Sequence, residues 1–171
     1  MKMKSLPRYN DCFVCGKKNP IGLDVAWYVD TDRQTIKSEF VATKEHAGYR
    51  GVLHGGVISS IMDEGMGWAC SYYANKMCVT GDLRLRFLRP ALVGTNLLFI
   101  GKLIHDSGRY FEARGRLQDD AGRLYTVGQG KYYPISEEIS KSLGAFFNYQ
   151  DCRSRDYENC IYGALQDEYK N

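Results

Sequence analysis

Between Gly55 and about Asn75 the chain is apolar almost all round a helical wheel and contains no proline, which predicts one long buried helix. Around it the pattern changes to the two-residue period of strands. Segments 22–29 and 34–42 precede the helix, and 77–88, 96–104, 109–117 and 123–133 follow it. In the first strand after the helix, Leu83, Leu85 and Phe87 face one way while Asp82, Arg84 and Arg86 face the other, so one face is buried. Turns are marked by Asp30-Thr31-Asp32-Arg33, Asp106-Ser107-Gly108 and Asp119-Asp120-Ala121-Gly122. The order β-β-α-β-β-β-β with short late connections predicts an α+β fold, a long central helix wrapped by a curved antiparallel sheet.

Within the helix, Gly56, Ser59, Ser60, Asp63, Gly67 and Cys70 fall on one narrow stripe of small or polar groups. Val57, Ile61 and Trp68 lie on another side, and Glu64 sits at the border. A carboxylate midway along an apolar helix must be paired, neutralised or used. The stripe leaves room for a ligand, so Asp63 is preferred to Glu64 as the functional acid. The competing reading is an ion pair between Asp63 and an arginine at a subunit contact. Gly55 and Gly56 let backbone approach a ligand at the helix N-terminus, where unpaired N–H groups carry partial positive charge and suit the oxygen of an acyl carbonyl. His54, just upstream, either caps the helix or touches the substrate.

The 171 residues, 44% of them hydrophobic, are enough for one compact domain with a core of its own. The expected division is a domain over 1–136 and a C-terminal extension over 137–171, in which Leu143, Phe146, Phe147, Tyr157, Ile161, Tyr162 and Leu165 suggest short helices folded back. The extension has seven acids and four bases, which leaves +6 on the remainder of a chain of net charge +3. A moderately basic body suits an anionic partner such as coenzyme A. Nucleic acid is not expected, because the bases form no dense cluster and no nucleic-acid module can be read. The basic start lacks the apolar stretch of a secretory signal, and no run reads as a membrane span, so a cytoplasmic protein is expected. Cys12-Phe-Val-Cys15 has the spacing of half a zinc knuckle or of a redox pair, with Cys152 and Cys160 as candidates for the remainder. That second pair is too widely spaced and has no histidine nearby. Ordinary thiols are therefore favoured, with no metal and no cofactor, and Cys70 and Cys78 are read as packed small residues.

The opening Cys-Phe-Val-Cys-Gly-Lys-Lys-Asn-Pro-Ile-Gly-Leu, the run Gly-Tyr-Arg-Gly-Val-Leu-His-Gly-Gly followed by Asp63-Glu64, and Leu-Arg-Leu-Arg-Phe-Leu-Arg-Pro-Ala-Leu-Val-Gly together resemble the hot-dog-fold acyl-CoA thioesterases, in the branch similar to phenylacetyl-CoA thioesterase. The resemblance covers about residues 12–135. It implies a hydrolase acting on an acyl-CoA, with the site at a dimer interface of a homodimer or homotetramer. The family's acid falls on Asp63 and its oxyanion donor on the Gly56 N–H, each from a different subunit. Thr80, ten residues before Pro90, is where relatives often carry a hydroxyl that holds the attacking water. Relatives in this branch often have asparagine six residues before the histidine of His-Gly-Gly; here Gly48 stands there, with His46 close by. Asp63 would act as general base or as a nucleophile forming an anhydride. Arg84, Arg86 and Arg89 are candidates for the phosphates of coenzyme A, or else a solvated strand face. Tyr49, Trp68, Tyr72 and Tyr73 either line an acyl pocket or pack the core. Hydratase or dehydratase chemistry would need a His and acid pair placed differently. A non-catalytic acyl-CoA binder of the same fold is the remaining alternative.

Overall fold

The apolar stretch forms a single helix, α1 (Gly55–Ala74), in a computed structural model that describes residues 3–148. His54 caps its start, and Asn75 ends it in the left-handed region at φ 52°. Seven strands form one antiparallel sheet: β1 (Met3–Ser5), β3 (Tyr28–Asp30), β4 (Thr35–Val41), β7 (Cys78–Phe87), β8 (Asn96–Asp106), β9 (Phe111–Gln118) and β10 (Leu124–Pro134), in the order β1-β3-β4-β8-β9-β10-β7. Two short ribbons complete the strands: β2 (Arg8–Tyr9) with β11 (Phe147–Asn148), and β5 (Ala47–Tyr49) with β6 (Val52–Leu53). This is the predicted α+β hot-dog architecture. No helix of the described residues is long and apolar enough to cross a membrane.

The helix and the sheet approach closely because glycines line the contact. Gly101, Gly115 and Gly128 are register partners across β8, β9 and β10. A Cβ on Gly115 would lie 3.0 Å from Met66 Cγ of the helix, and one on Gly128 would lie 3.3 Å from Met62 Cε. From the helix side, a Cβ on Gly65 would meet the Phe99 ring at 2.4 Å and Trp27 at 2.7 Å. Phe99 and Trp27 themselves stack edge to face at 5.4 Å in the fully buried centre, beside Ile61, Met62, Met66 and Leu117.

Two expectations are corrected. The strand expected over 22–29 is reduced to β3, because the Leu23 and Val25 amides donate to the carbonyls of Phe13 (2.8 Å) and Val14 (2.9 Å) instead of to a sheet neighbour. Leu23, Val25 and Trp27 are nonetheless buried in alternation, and the 28–30 end pairs with β4 across the expected hairpin turn. On β7, Leu83 and Leu85 are half-buried but Phe87 is 51% exposed, since β7 is an edge strand bonded to β10 on one side. In the extension, α2 (Glu137–Gly144) is capped by Ser136, after which β11 returns to pair with β2 and Phe147 stacks on Trp68 at 5.9 Å. Tyr157, Ile161, Tyr162, Leu165, Cys152 and Cys160 lie outside the described residues.

Candidate functional site

A bulge in the β7–β10 ladder brings two hydroxyls to Asp63. Lys131 pairs with Asp82 but Tyr132 pairs with Thr80, so Gly81 is the extra residue on β7. Thr80 and Tyr132, now cross-strand neighbours, both reach the helix. Thr80 Oγ1 donates to Asp63 Oδ1 at 2.8 Å, and Tyr132 OH donates to the Asp63 carbonyl at 2.9 Å while lying 3.3 Å from Oδ1. Both hydroxyls thus lie on the Oδ1 side, and Oδ2 has no partner among the described residues. Burial, with the charge of Asp63, raises the Tyr132 pKa, which keeps that hydroxyl a donor. Gly67, one turn further along the stripe, makes room for the Tyr132 ring, which a Cβ there would touch at 3.4 Å.

The helix N-terminus is arranged differently from expectation. The Gly56 N–H donates to His54 Nδ1 at 2.8 Å, so the histidine acts as a cap and holds the amide assigned to the oxyanion. The Gly55 N–H has no partner among the described residues. Ser59 and Ser60 donate back to the carbonyls of Gly55 and Gly56, each at 2.9 Å. Gly48 is explained by the same histidine: a Cβ there would lie 2.8 Å from the His54 ring, so an asparagine could not coexist with this imidazole position. Seven residues of helix separate Gly56 from Asp63, about 10 Å along the axis. Within one chain the glycine amide therefore does not reach the carboxylate.

Asp63 and Thr80 line a cavity of about 310 Å³ with Tyr9, Cys12, Cys15, Glu64, Trp68, Cys78, Tyr132 and Phe147 among its other walls. Of the two readings left open for Trp68 both hold, since it is buried in the core and its ring also lines the cavity. Tyr49 does not: it is 83% exposed, and Tyr72 and Tyr73 stack on each other at 5.0 Å away from the lining. Cys70 is fully buried, as a packed small residue should be, but Cys78 is only half-buried and reaches the cavity. Arg84, Arg86 and Arg89 are all exposed and outside the lining; Arg84 lies 3.5 Å from Asp82, and Arg89 donates to the Leu124 carbonyl at 2.6 Å.

Glu64, at the border of the stripe, is half-buried and held on both oxygens. Its Oε1 accepts from Trp27 Nε1 at 2.9 Å and its Oε2 lies 3.0 Å from Cys12 Sγ. Burial, then the negative charge of Cys12, pushes the Glu64 carboxyl up to about 8. The hydrogen bond with Cys15 is the main cause that lowers the Cys12 thiol to about 5, and its counterpart raises Cys15. Sequence reasoning had the two cysteines but looked for their companions in Cys152 and Cys160. The apolar helix that carries Glu64 was visible; its facing loop was not. Tyr132 was missed as well, since its role depends on a bulge with no local signal beyond Gly81.

An apolar helix laid on a seven-stranded antiparallel sheet, with an acid on the helix and a hydroxyl from the edge strand, is the hot-dog fold of the thioesterases. Residues 50–126 match the family model of the thioesterase superfamily. The hot-dog thioesterase family named from the motifs is the one that these likenesses support. Among curated proteins, a candidate esterase of Archaeoglobus fulgidus is 24% identical over 103 residues, 60% of this chain and 66% of that protein. A solved thioesterase superfamily protein shares the fold with a TM-score of 0.67 and 24% identity, over 72% of this chain and 63% of its own. A Streptococcus mutans protein solved bound to acetyl CoA has a TM-score of 0.57 and 17% identity, over 60% of this chain and 82% of its own. The chain spans less than two thirds of the length of the first two of these relatives.

Proposed function

We propose that the protein is an acyl-CoA thioesterase in which Asp63 activates water. The observation that carries this reading is the one-sided grip on Asp63: Thr80 donates to Oδ1, which Tyr132 OH also faces at 3.3 Å, and Oδ2 is left to take a proton in a walled cavity. Thr80 uses its hydroxyl hydrogen in the bond it donates to Asp63 Oδ1, so its oxygen is left to accept a hydrogen bond from a water bridging Thr80 and Oδ2. That water attacks the thioester carbonyl as Oδ2 takes its other proton. The tetrahedral oxyanion is held at the helix N-terminus of a partner subunit by the Gly56 amide, once the carbonyl oxygen displaces His54 Nδ1, with the Gly55 N–H beside it. Collapse breaks the carbon–sulfur bond, and the proton on Asp63 leaves with the thiol of coenzyme A. The exposed apolar side chains of edge strand β7, Val79 and Phe87, support a homodimer that joins the two halves of the site. The acetyl CoA bound to the Streptococcus mutans relative supports the choice of thioester.

The test is release of free thiol over a panel of acyl-CoAs. Asp63→Asn is expected to lower turnover by about two to four orders of magnitude, the usual weight of a general base, with folding unchanged. Undiminished release in that variant would move the chemistry off Asp63. Binding of acyl-CoA without release by the natural protein would replace the enzyme by a binding protein. Labelled water followed through one turnover separates the two routes, since an anhydride places label in Asp63.

A further inference from the structure

We propose that Cys12, Cys15 and Glu64 form a zinc site, with the two sulfurs and the carboxylate as protein ligands and the remaining coordination position facing the cavity. The ligand atoms of the three residues all lie within 4.8 Å of one another, although Glu64 is 52 residues from Cys12. A tetrahedral zinc with Zn–S of about 2.3 Å and Zn–O of about 2.0–2.2 Å needs ligand atoms about 3.5–3.8 Å apart. Only a small adjustment separates the present cluster from that. Two thiolates and a carboxylate carry three negative charges, which a dication reduces to one, and the sulfur content favours zinc over magnesium or calcium.

The cysteine turn is shaped as a chelating turn. The amides of Val14 and Cys15 both point at Cys12 Sγ, at 3.2 and 3.5 Å, and so favour a sulfur that carries negative charge. The Gly16 amide closes the turn onto the Cys12 carbonyl at 3.0 Å. A Cβ on Gly16 would fall 2.4 Å from the carbonyl oxygens of both Asn10 and Cys12, so only glycine permits the closure. On the other side, Trp27 Nε1 fixes Glu64 through Oε1 and leaves Oε2 turned to sulfur, the outer-shell support that a metal ligand needs. All three ligand residues line the cavity that contains Asp63, and among the described residues no fourth His, Cys, Asp or Glu joins the cluster. Bound zinc would staple the loop before β3 to the middle of α1. The readout below is metal content, so it stands or falls apart from the thioesterase reading.

The full chain, purified under reducing conditions without chelator, is expected to hold about one zinc per chain by elemental analysis. After removal of metal, cobalt(II) added alone should produce thiolate-to-cobalt charge-transfer absorption, and zinc added alone should protect Cys12 from alkylation. Cys12→Ser and Cys15→Ser should each hold less than about a tenth of the natural zinc, and Glu64→Gln should bind at least about tenfold more weakly. Cys70→Ser and the double variant Cys152→Ser with Cys160→Ser should keep full stoichiometry. The inference is overturned by a natural protein that carries no zinc and gives no cobalt–thiolate band. Unchanged zinc in the Cys12 and Cys15 variants, or loss of zinc in the Cys152 and Cys160 double variant, would overturn it equally. The cobalt and alkylation readings use the unmodified chain, so they decide the matter even if a cysteine variant fails to fold.

Discussion

Thr80 holds one oxygen of Asp63 and leaves the other open, and the proposed mechanism depends on that asymmetry. A hydrogen bond to a charged group contributes about 1.5–3 kcal/mol to the fold, so Thr80→Val should lower thermal stability and, by freeing Asp63, kcat by about ten- to a hundredfold in steady-state thiol release; a kcat equal to that of the natural protein would remove Thr80 from the mechanism. Asp30 is a second residue whose environment can be tested. It is fully buried, accepts from Lys37 Nζ at 2.7 Å and from the Arg33 amide at 3.1 Å, and Lys37 above all holds its carboxyl below the usual range. A depressed folded pKa stabilises the fold above the unfolded pKa, and that stabilisation disappears as pH falls through the folded value. Asp30→Asn should be less stable than the natural chain at neutral pH, and the two urea-unfolding curves should converge as pH drops through the carboxylate range. Curves that remain equally far apart in acid would contradict the assignment.

The helix sits where it does because α1 and the sheet lack side chains at their closest approach. Gly65 faces Phe99 and Trp27, both fully buried and unable to retreat. Gly65→Ala gains up to about 1 kcal/mol of helix propensity, yet it inserts a methyl into rings that a packed core resists by about 1–3 kcal/mol. Net destabilisation by equilibrium unfolding is expected, despite the better helix former; a more stable variant would mean that the helix is not clamped at this point. The helix itself was legible almost to the residue, from 55 to 74, because its period is local. So were β4, β7, β8, β9 and β10, and the glycine turns at Gly108 and Gly122, both of which have positive φ. The segment from Gly22 was not, since an alternating run has the same appearance whether it joins a sheet or a loop.

For the whole molecule, the sheet ends on β7 in an exposed edge that displays Val79 at 53% and Phe87 at 51% exposure, with Leu92 nearby in sequence at 56%. Unpaired apolar edges invite a second strand. Light scattering is expected to give a homodimer for the natural chain, and Phe87→Glu should shift it toward monomer and lower turnover by more than about tenfold, since Gly56 and Asp63 are about 10 Å apart within one helix. A fully active monomer would show that one subunit suffices. Asp63 was legible as a candidate, an acid on a stripe of small residues, and the resemblance pointed to the Thr80 hydroxyl that the structure places against it. The meeting of Glu64 with Cys12 was not legible.

Local periodicity and composition were sufficient to establish one apolar helix, an antiparallel sheet around it, and a carboxylate that packing alone did not require. Those features depend on neighbours three, four or two residues away, which a linear chain displays. The tertiary structure alone decided which atoms meet: the bulge at Gly81 that turns Thr80 and Tyr132 onto Asp63, the His54 ring on the Gly56 amide, and Glu64 beside Cys12. Each of the sheet and loop contacts depends on strand register or on a loop folding across the helix, and a shift of one residue in register would turn every side chain concerned to the other face.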